Sequence, residues 1–143
     1  MPGMRMALVS GTAQSHLLAI ARRVTKSKGA VLFRNGEPAF GVFLVRKGSV
    51  GLRLEAEEGN ALWDRTATRN SIIGLPSTLA GGSYSLTAVA LEESELAFIE
   101  RQALIELIKS DPGLGLELMH VLGDEVLQAR LASTQLRQAS QQV

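Results

Sequence analysis

The pattern of apolar and polar positions changes period twice along this chain. In Gln14 to Arg23, QSHLLAIARR, the residues Leu17, Leu18, Ile20 and Ala21 form an apolar stripe, which predicts a short helix. Arg22 and Arg23 would close its last turn favourably for the helix dipole, and Thr12 is a candidate cap. Val24 to Lys28 reads as a solvated basic link. From Gly29 the period shortens. Gly29 to Phe33 reads as a short strand, Arg34 to Pro38 as a turn, and Phe40 to Arg46 as a nearly continuous apolar strand buried on both faces. After Lys47-Gly48, the residues Val50, Leu52 and Leu54 alternate with Gly51, Arg53 and Glu55, so one face is dry and one is wet. Glu57 to Asn60 predicts a hairpin loop and Ala61 to Thr68 the returning strand, with Trp63 as hairpin packing. Glu92-Glu93-Ser94 is a turn, and Glu95 to Glu100 is a last strand. Short strands with glycine turns predict an antiparallel barrel or jelly-roll-like body.

The helical period returns at Arg101 to Lys109, with Leu104, Ile105, Leu107 and Ile108 apolar. Asp111 and Pro112 supply the N-cap and first turn of a second helix. Nothing but Gly113, Gly115 and Gly123 interrupts it before about Gln138, which is roughly 40 Å of helix at 1.5 Å per residue. One stripe fits a heptad: Met119, Leu122, Val126, Ala129, Ser133 and Leu136, with Arg130 beside it. A second stripe, Leu114, Leu118 and Val121, is available to the β body. Two apolar faces on one helix predict a partner beyond the chain, most simply a second copy. The division expected is a single domain over 1–143: helix and link at 12–28, β body at 29–100, helices at 101–138 and a fraying tail at 139–143.

Composition narrows the chemistry. The 143 residues carry a formal charge of +1, which does not by itself argue for nucleic acid or an anionic membrane. There is no cysteine, which excludes disulfides, thiol chemistry and cysteine-held metal clusters. No apolar run reaches membrane-spanning length, and the N-terminus lacks a long apolar segment, so the cytoplasm is the expected compartment. Enzymatic function has little support. With two histidines and no cysteine, no nucleophile–base set assembles, and the acidic pairs Glu57-Glu58 and Glu92-Glu93 fall in turns.

The candidate site is the crossover Ser71 to Ala90, SIIGLPSTLAGGSYSLTAVA. It reads as a strand to Gly74, a short helical turn from Pro76, a break at Gly81-Gly82, and a strand from Tyr84. Free N–H groups near Pro76 to Thr78 and the hydroxyls of Ser77, Ser83 and Ser85 are able to hold an anion. The alternative is a tight crossover that binds nothing.

Gly29-x-x-Leu32-Phe33-x-x-Gly36-Glu37-Pro38, then Val42 to Val45 and Gly48-Ser49-Val50, resemble the opening of the cyclic-nucleotide-binding domain of Crp/Fnr-type transcriptional regulators. The resemblance continues through Ile73-Gly74, Thr87 to Ala90, Glu95 to Ile99, and Asp111-Pro112 with its long helix, from about Leu17 to Leu136. It implies a mainly β fold: a double-stranded β-roll with an N-terminal helix and a long C-terminal dimerisation helix. In nucleotide-binding members the crossover carries Phe-Gly-Glu and later Arg-(Ser/Thr)-Ala. The glutamate holds the ribose and the arginine the cyclic phosphate. Here Gly74 matches the glycine, but Leu75 stands at the glutamate and Tyr84 at the arginine. The helix positions that approach the base in cAMP-binding members fall near Ala129 and Arg130.

The degenerate cassette is therefore Gly74, Leu75, Pro76, Ser77, Thr78, Ser83, Tyr84 and Ser85, closed by Leu75 and Tyr84 or suited to an uncharged ligand. Arg53, Arg65 and Arg69 read as solvated. Some members of the family sense through haem or iron–sulfur clusters; neither is expected here, nor a metal, and His16 and His120 read as surface or satisfied histidines. Full regulators continue into a helix-turn-helix domain, and no recognition helix precedes the long one here. The resemblance implies a dimeric sensory module, poor in affinity for cAMP or cGMP and without specific DNA binding of its own. It is either a natural single domain or a piece of a regulator. A dimerisation domain with no ligand and a still-competent nucleotide sensor are the alternatives.

Overall fold

The computed structural model describes residues 4–55 and 61–141, with the side chains of 6–54 and 62–127. In chain order the elements are β1 (Met4–Arg5), α1 (Gly11–Leu18), β2 (Arg22–Lys26), β3 (Val31–Phe33), β4 (Gly41–Lys47), β5 (Val50–Glu55), β6 (Ala61–Ala67) and β7 (Ile72–Ile73). They continue with α2 (Leu75–Ala80), β8 (Thr87–Ala90), β9 (Ser94–Glu100), α3 (Arg101–Ser110) and α4 (Pro112–Gln141). The strands form two sheets, β1-β6-β5-β8-β3 and β2-β9-β4-β7. Every pairing is antiparallel except β1 with β6. This is a β-roll with flanking helices.

The apolar run of β4 explains the layering. Successive side chains on a strand point to opposite faces. Phe43 and Val45 enter the roll interior with Leu32, Phe33, Leu52, Ala88 and Leu96. Val42 and Leu44 face the helices, with Leu17, Ile99, Leu104, Leu114 and Leu118. The four-stranded sheet thus separates two cores, and a burial of both faces accounts for its lack of polar alternation.

Several boundaries differ from the sequence reading. The first helix is capped by Ser10, whose Oγ accepts the Ala13 N–H at 3.2 Å, and ends at Leu18. Arg22 and Arg23 do not close that helix, and 24–28 is no link. Arg22–Lys26 is a strand paired along β9, from Arg22 opposite Phe98 to Lys26 opposite Ser94. The β-branched Val24-Thr25 favours that conformation. Val24 packs on the roll core and the Arg22 guanidinium lies 5.3 Å from the Phe98 ring centre. The crossover resumes as a strand at Thr87, not Tyr84. The hairpin loop expected at Glu57 to Asn60 lies outside the described residues. At the other end, Asp111 caps α4 as expected, its Oδ1 accepting the Leu114 N–H at 3.1 Å.

Candidate functional site

The crossover sits at the mouth of the roll. Gly74 precedes α2 with φ +86°, and a Cβ there would lie 3.0 Å from Tyr84 Cε1. Both the left-handed backbone and the close ring favour glycine. Helix α2 ends at Gly81, φ +73°, whose N–H returns to the Ser77 carbonyl at 3.1 Å. Arg101 secures this turn from the start of α3, donating Nε–H to the Thr78 carbonyl at 2.8 Å. Thr78 is itself buried, its Oγ1 donating to the Gly41 carbonyl at 3.0 Å.

Tyr84 fills the space this frame encloses. Its ring stacks on Phe33 with centroids 3.7 Å apart and planes 13° from parallel, and meets Phe40 edge-on at 5.6 Å. Its hydroxyl donates to the Gly41 carbonyl at 2.6 Å and accepts the Gly41 N–H at 3.3 Å. The Tyr84 backbone is held too, through Glu37 and Gly36. Burial pushes the phenol's pKa up, partly offset by the Gly41 bond, so the ring is neutral. The cavity left beside it, lined in part by Gly74, Pro76, Ser77 and Ser85, is about 40 Å³. That is room for ordered water.

The expected cassette is therefore divided. Gly74, Pro76, Ser77, Tyr84 and Ser85 gather at the roll cavity. Ser83 is exposed and forms an isolated bridge with Pro38. Leu75 does not close the pocket: it is fully buried on the helix side, in the core with Leu17 and Leu104. The first residue of α2 points away from the roll, and an apolar side chain there gains more by packing under the helices.

Two charged residues at the cavity escaped the sequence reading. Arg65 is not solvated. Its side chain is 7% exposed and its Nε donates to Asp64 Oδ2 at 2.6 Å, with Asp64 3% exposed. The pairing register explains how neighbours on one strand reach each other. Leu52 lies opposite Arg65 and Arg53 opposite Trp63, so Asp64 is the extra residue of a β-bulge, a device that re-aims side chains. From α4 comes Glu125, 4% exposed, four residues beyond Val121 on the stripe that packs on the body. Among the described residues Arg65 Nη1 and Glu125 Oε1 have no hydrogen-bond partner. Burial raises the Glu125 pKa from 4.5 to about 7; Arg65 opposes the shift, and Asp124 and Asp64 add to it. The signal for Arg65 was its phase with the inward-facing Ala67; for Glu125 it was the spacing Leu114, Leu118, Val121, Glu125.

The other sites follow the stripes. Leu114, Leu118 and Val121 are buried on the body. Met119 and Val126 are 66% and 45% exposed, Leu122 is half-buried, and Leu116 and Leu127 extend the exposed apolar face. The side chains of Ala129, Arg130, Ser133 and Leu136 lie outside the described residues. His16 pairs with Asp111 at 2.6 Å and His120 is exposed. Among the described residues no three His, Asp or Glu side chains come together as a metal set, and no helix is long and apolar enough to cross a membrane.

Residues 23–111 match the family model for the cyclic nucleotide-binding domain. The catabolite activator protein of Thermus thermophilus is similar in structure, with TM-score 0.79 and 24% identity over 90% of this chain and 60% of that one. The c-di-GMP responsive global regulator CLP of Xanthomonas campestris gives 0.78 and 21%, over 92% of this chain and 63% of its own. The sensor domain of the regulator DNR from Pseudomonas aeruginosa gives 0.65 and 25%, over 94% and 83%. A mouse patatin-like phospholipase domain-containing protein 7 is 24% identical over 99 residues, 69% of this chain but 7% of the relative. The chain thus spans a small part of that relative and about three-fifths of the first two regulators.

Proposed function

This chain belongs to the cyclic nucleotide-binding domain family, and from that premise we propose that it is the effector-sensing module of a Crp/Fnr-type regulator whose phosphate cassette no longer serves cAMP or cGMP. The observation that carries this reading is the seat of Tyr84. The position that in nucleotide-binding relatives offers an arginine to the cyclic phosphate here holds a neutral phenol, spent on Gly41 and stacked into the roll. A cavity of about 40 Å³ beside it compares with several hundred for small-molecule sites. Leu75, at the ribose-binding position, faces the other core. Two charged contacts at roughly 1.5 kcal/mol or more apiece correspond to at least about a hundredfold in affinity. Isothermal calorimetry with cAMP and cGMP is expected to give no saturable binding at micromolar concentrations. A dissociation constant near or below about 10 μM for either would restore a standard nucleotide sensor.

The route to an output is the pair Arg65 and Glu125. Glu125 belongs to α4 and Arg65 to the roll, so a ligand of small size that engages the cavity changes what α4 packs against. The role includes a homodimer through the exposed face of α4, a cytoplasmic location, no metal, haem or iron–sulfur cofactor, and no DNA binding by these 143 residues. The apolar face formed by Leu116, Met119, Val126 and Leu127 supports the dimer, and equally a second reading in which the module only dimerises. Val126→Glu places a charge in that seam without disturbing the buried stripe. Sedimentation at tens of micromolar is expected to show a dimer for the parent chain and a monomer for the variant. A monomeric parent chain overturns the dimer.

A further inference from the structure

The helix-facing side of the four-stranded sheet carries a second cavity, about 420 Å³, separated from the roll interior by the sheet itself. Its wall is cationic. Arg46 follows Val42 and Leu44 in two-residue steps onto that face, and its Nη1 donates to Gln14 Oε1 of α1 at 3.2 Å. Lys47 ends the same strand. Arg23 arrives from β2, and Arg69 from the turn after β6. One carboxylate answers them: Glu95 on β9 pairs with Arg23 and lies 3.5 Å from Lys47 Nζ. Four cations against one carboxylate leave +3 in the cleft, whereas the whole chain carries +1. Arg69 is exposed and makes no ion pair among the described residues. Leu18, at the end of α1, adds an apolar side.

Glu95 and Gln14 answer part of this charge and leave a net excess of cations in the cleft, and the volume suits a small molecule. We propose that the cleft binds a small organic oxyanion, a phosphate or carboxylate on a partly apolar body, at a site independent of the roll. Arg46 is pre-placed by Gln14, and Arg69 and Lys47 supply donors whose charge is not wholly answered. The apolar body would lie toward Leu18, between α1 and the sheet.

The test uses two probes with one body, phenyl phosphate and benzoate, titrated into the isotope-labelled chain and followed by amide NMR shifts. Saturable shifts are expected around Arg23, Arg46 and Arg69 for at least one probe, with those of Ser77 and Tyr84 unmoved. The stronger probe identifies the headgroup. Arg69→Gln is expected to weaken binding at least about tenfold with the melting temperature unchanged, and raised salt to weaken it further. Arg46→Gln should do the same, but it also loosens α1, so Arg69→Gln decides. Shifts confined to Ser77 and Tyr84, no saturation by about 10 mM of either probe, or an Arg69→Gln chain that binds as tightly as the parent would each overturn the proposal. Because the roll residues serve as internal reporters, failure here is distinguishable from failure of the nucleotide reading.

Discussion

Tyr84→Ala is expected to lower the free energy of unfolding by about 3–5 kcal/mol, the range for losing a buried aromatic side chain. Tyr84 is 2% exposed and its ring is packed between Phe33 and Phe40. Truncation removes that packing and leaves both the N–H and the carbonyl of Gly41 without the phenol. Thr78 Oγ1 still donates to the carbonyl, which limits the polar part of the loss. A fall of roughly 10–20 °C in Tm should accompany it. Tyr84→Phe separates the terms: it keeps the stack and is expected to cost about 1–2 kcal/mol. Urea unfolding of the three chains measures both. An alanine variant within 1 kcal/mol of the parent, on the order of a surface change, would mean that the ring is not the plug of the roll.

The second large effect is expected at Asp64. Asp64→Ala strips a buried guanidinium of its hydrogen-bonded carboxylate, a change that costs about 3–5 kcal/mol in comparable pairs. Its pH dependence reports on Glu125. In the parent chain the folded state holds the Glu125 proton more tightly than the unfolded state, with a pKa of about 7 against 4.5. Its contribution to stability is therefore fully present below pH 4.5 and is lost as pH rises through about 7. Asp64 is one of the charges that raises this pKa and Arg65 one that lowers it. Without Asp64 the arginine is left to Glu125, so the pKa should fall and the loss of stability should move to lower pH. Thermal melts from pH 4 to 8 check it. An unchanged profile in Asp64→Ala would show that Glu125 does not sense the roll through Arg65. The same melts with Glu125→Gln should lose the Glu125 component altogether.

The architecture was legible because its signals were redundant. Gly74, Asp111-Pro112 and the two-faced apolar run of β4 each allow few local structures, and they agree. The N-terminal boundary was less legible because Arg22 and Arg23 suit a helix end by charge as well as they suit an edge strand. What settles them is β9, some 70 positions away, which no local pattern contains. The cassette shows the same limit. Gly74 lies before α2 with a positive φ and Tyr84 lies at the roll cavity, but the strand begins only at Thr87. A resemblance places Leu75 in the cassette by position, but does not give the direction of a side chain at the first residue of a helix. A charged residue on a strand is usually solvated, and the pattern of β6 alone points to that for Arg65. The bulge at Asp64, which lets the two neighbours pair in the dark, leaves no mark in the composition of β6.

The order of the strands has a consequence for how the molecule is made. Strand β9 lies between β2 and β4, and β8 lies between β3 and β5. The early strands β2, β3 and β4 therefore have no lasting neighbour among themselves. On a ribosome β3 waits for β8, β2 waits for β9 to be synthesised through about Glu100, and β4 keeps one edge open for β9 although β7 can cover the other. Among the described strands the β5–β6 hairpin is the pairing of neighbours in sequence. Pairings of such long separation place folding toward the slow end, milliseconds to seconds, for domains of this size. The apolar run of β4 is the segment most exposed to misassociation during that interval. The late strands β8 and β9, joined by a turn of three residues, close both sheets almost at once.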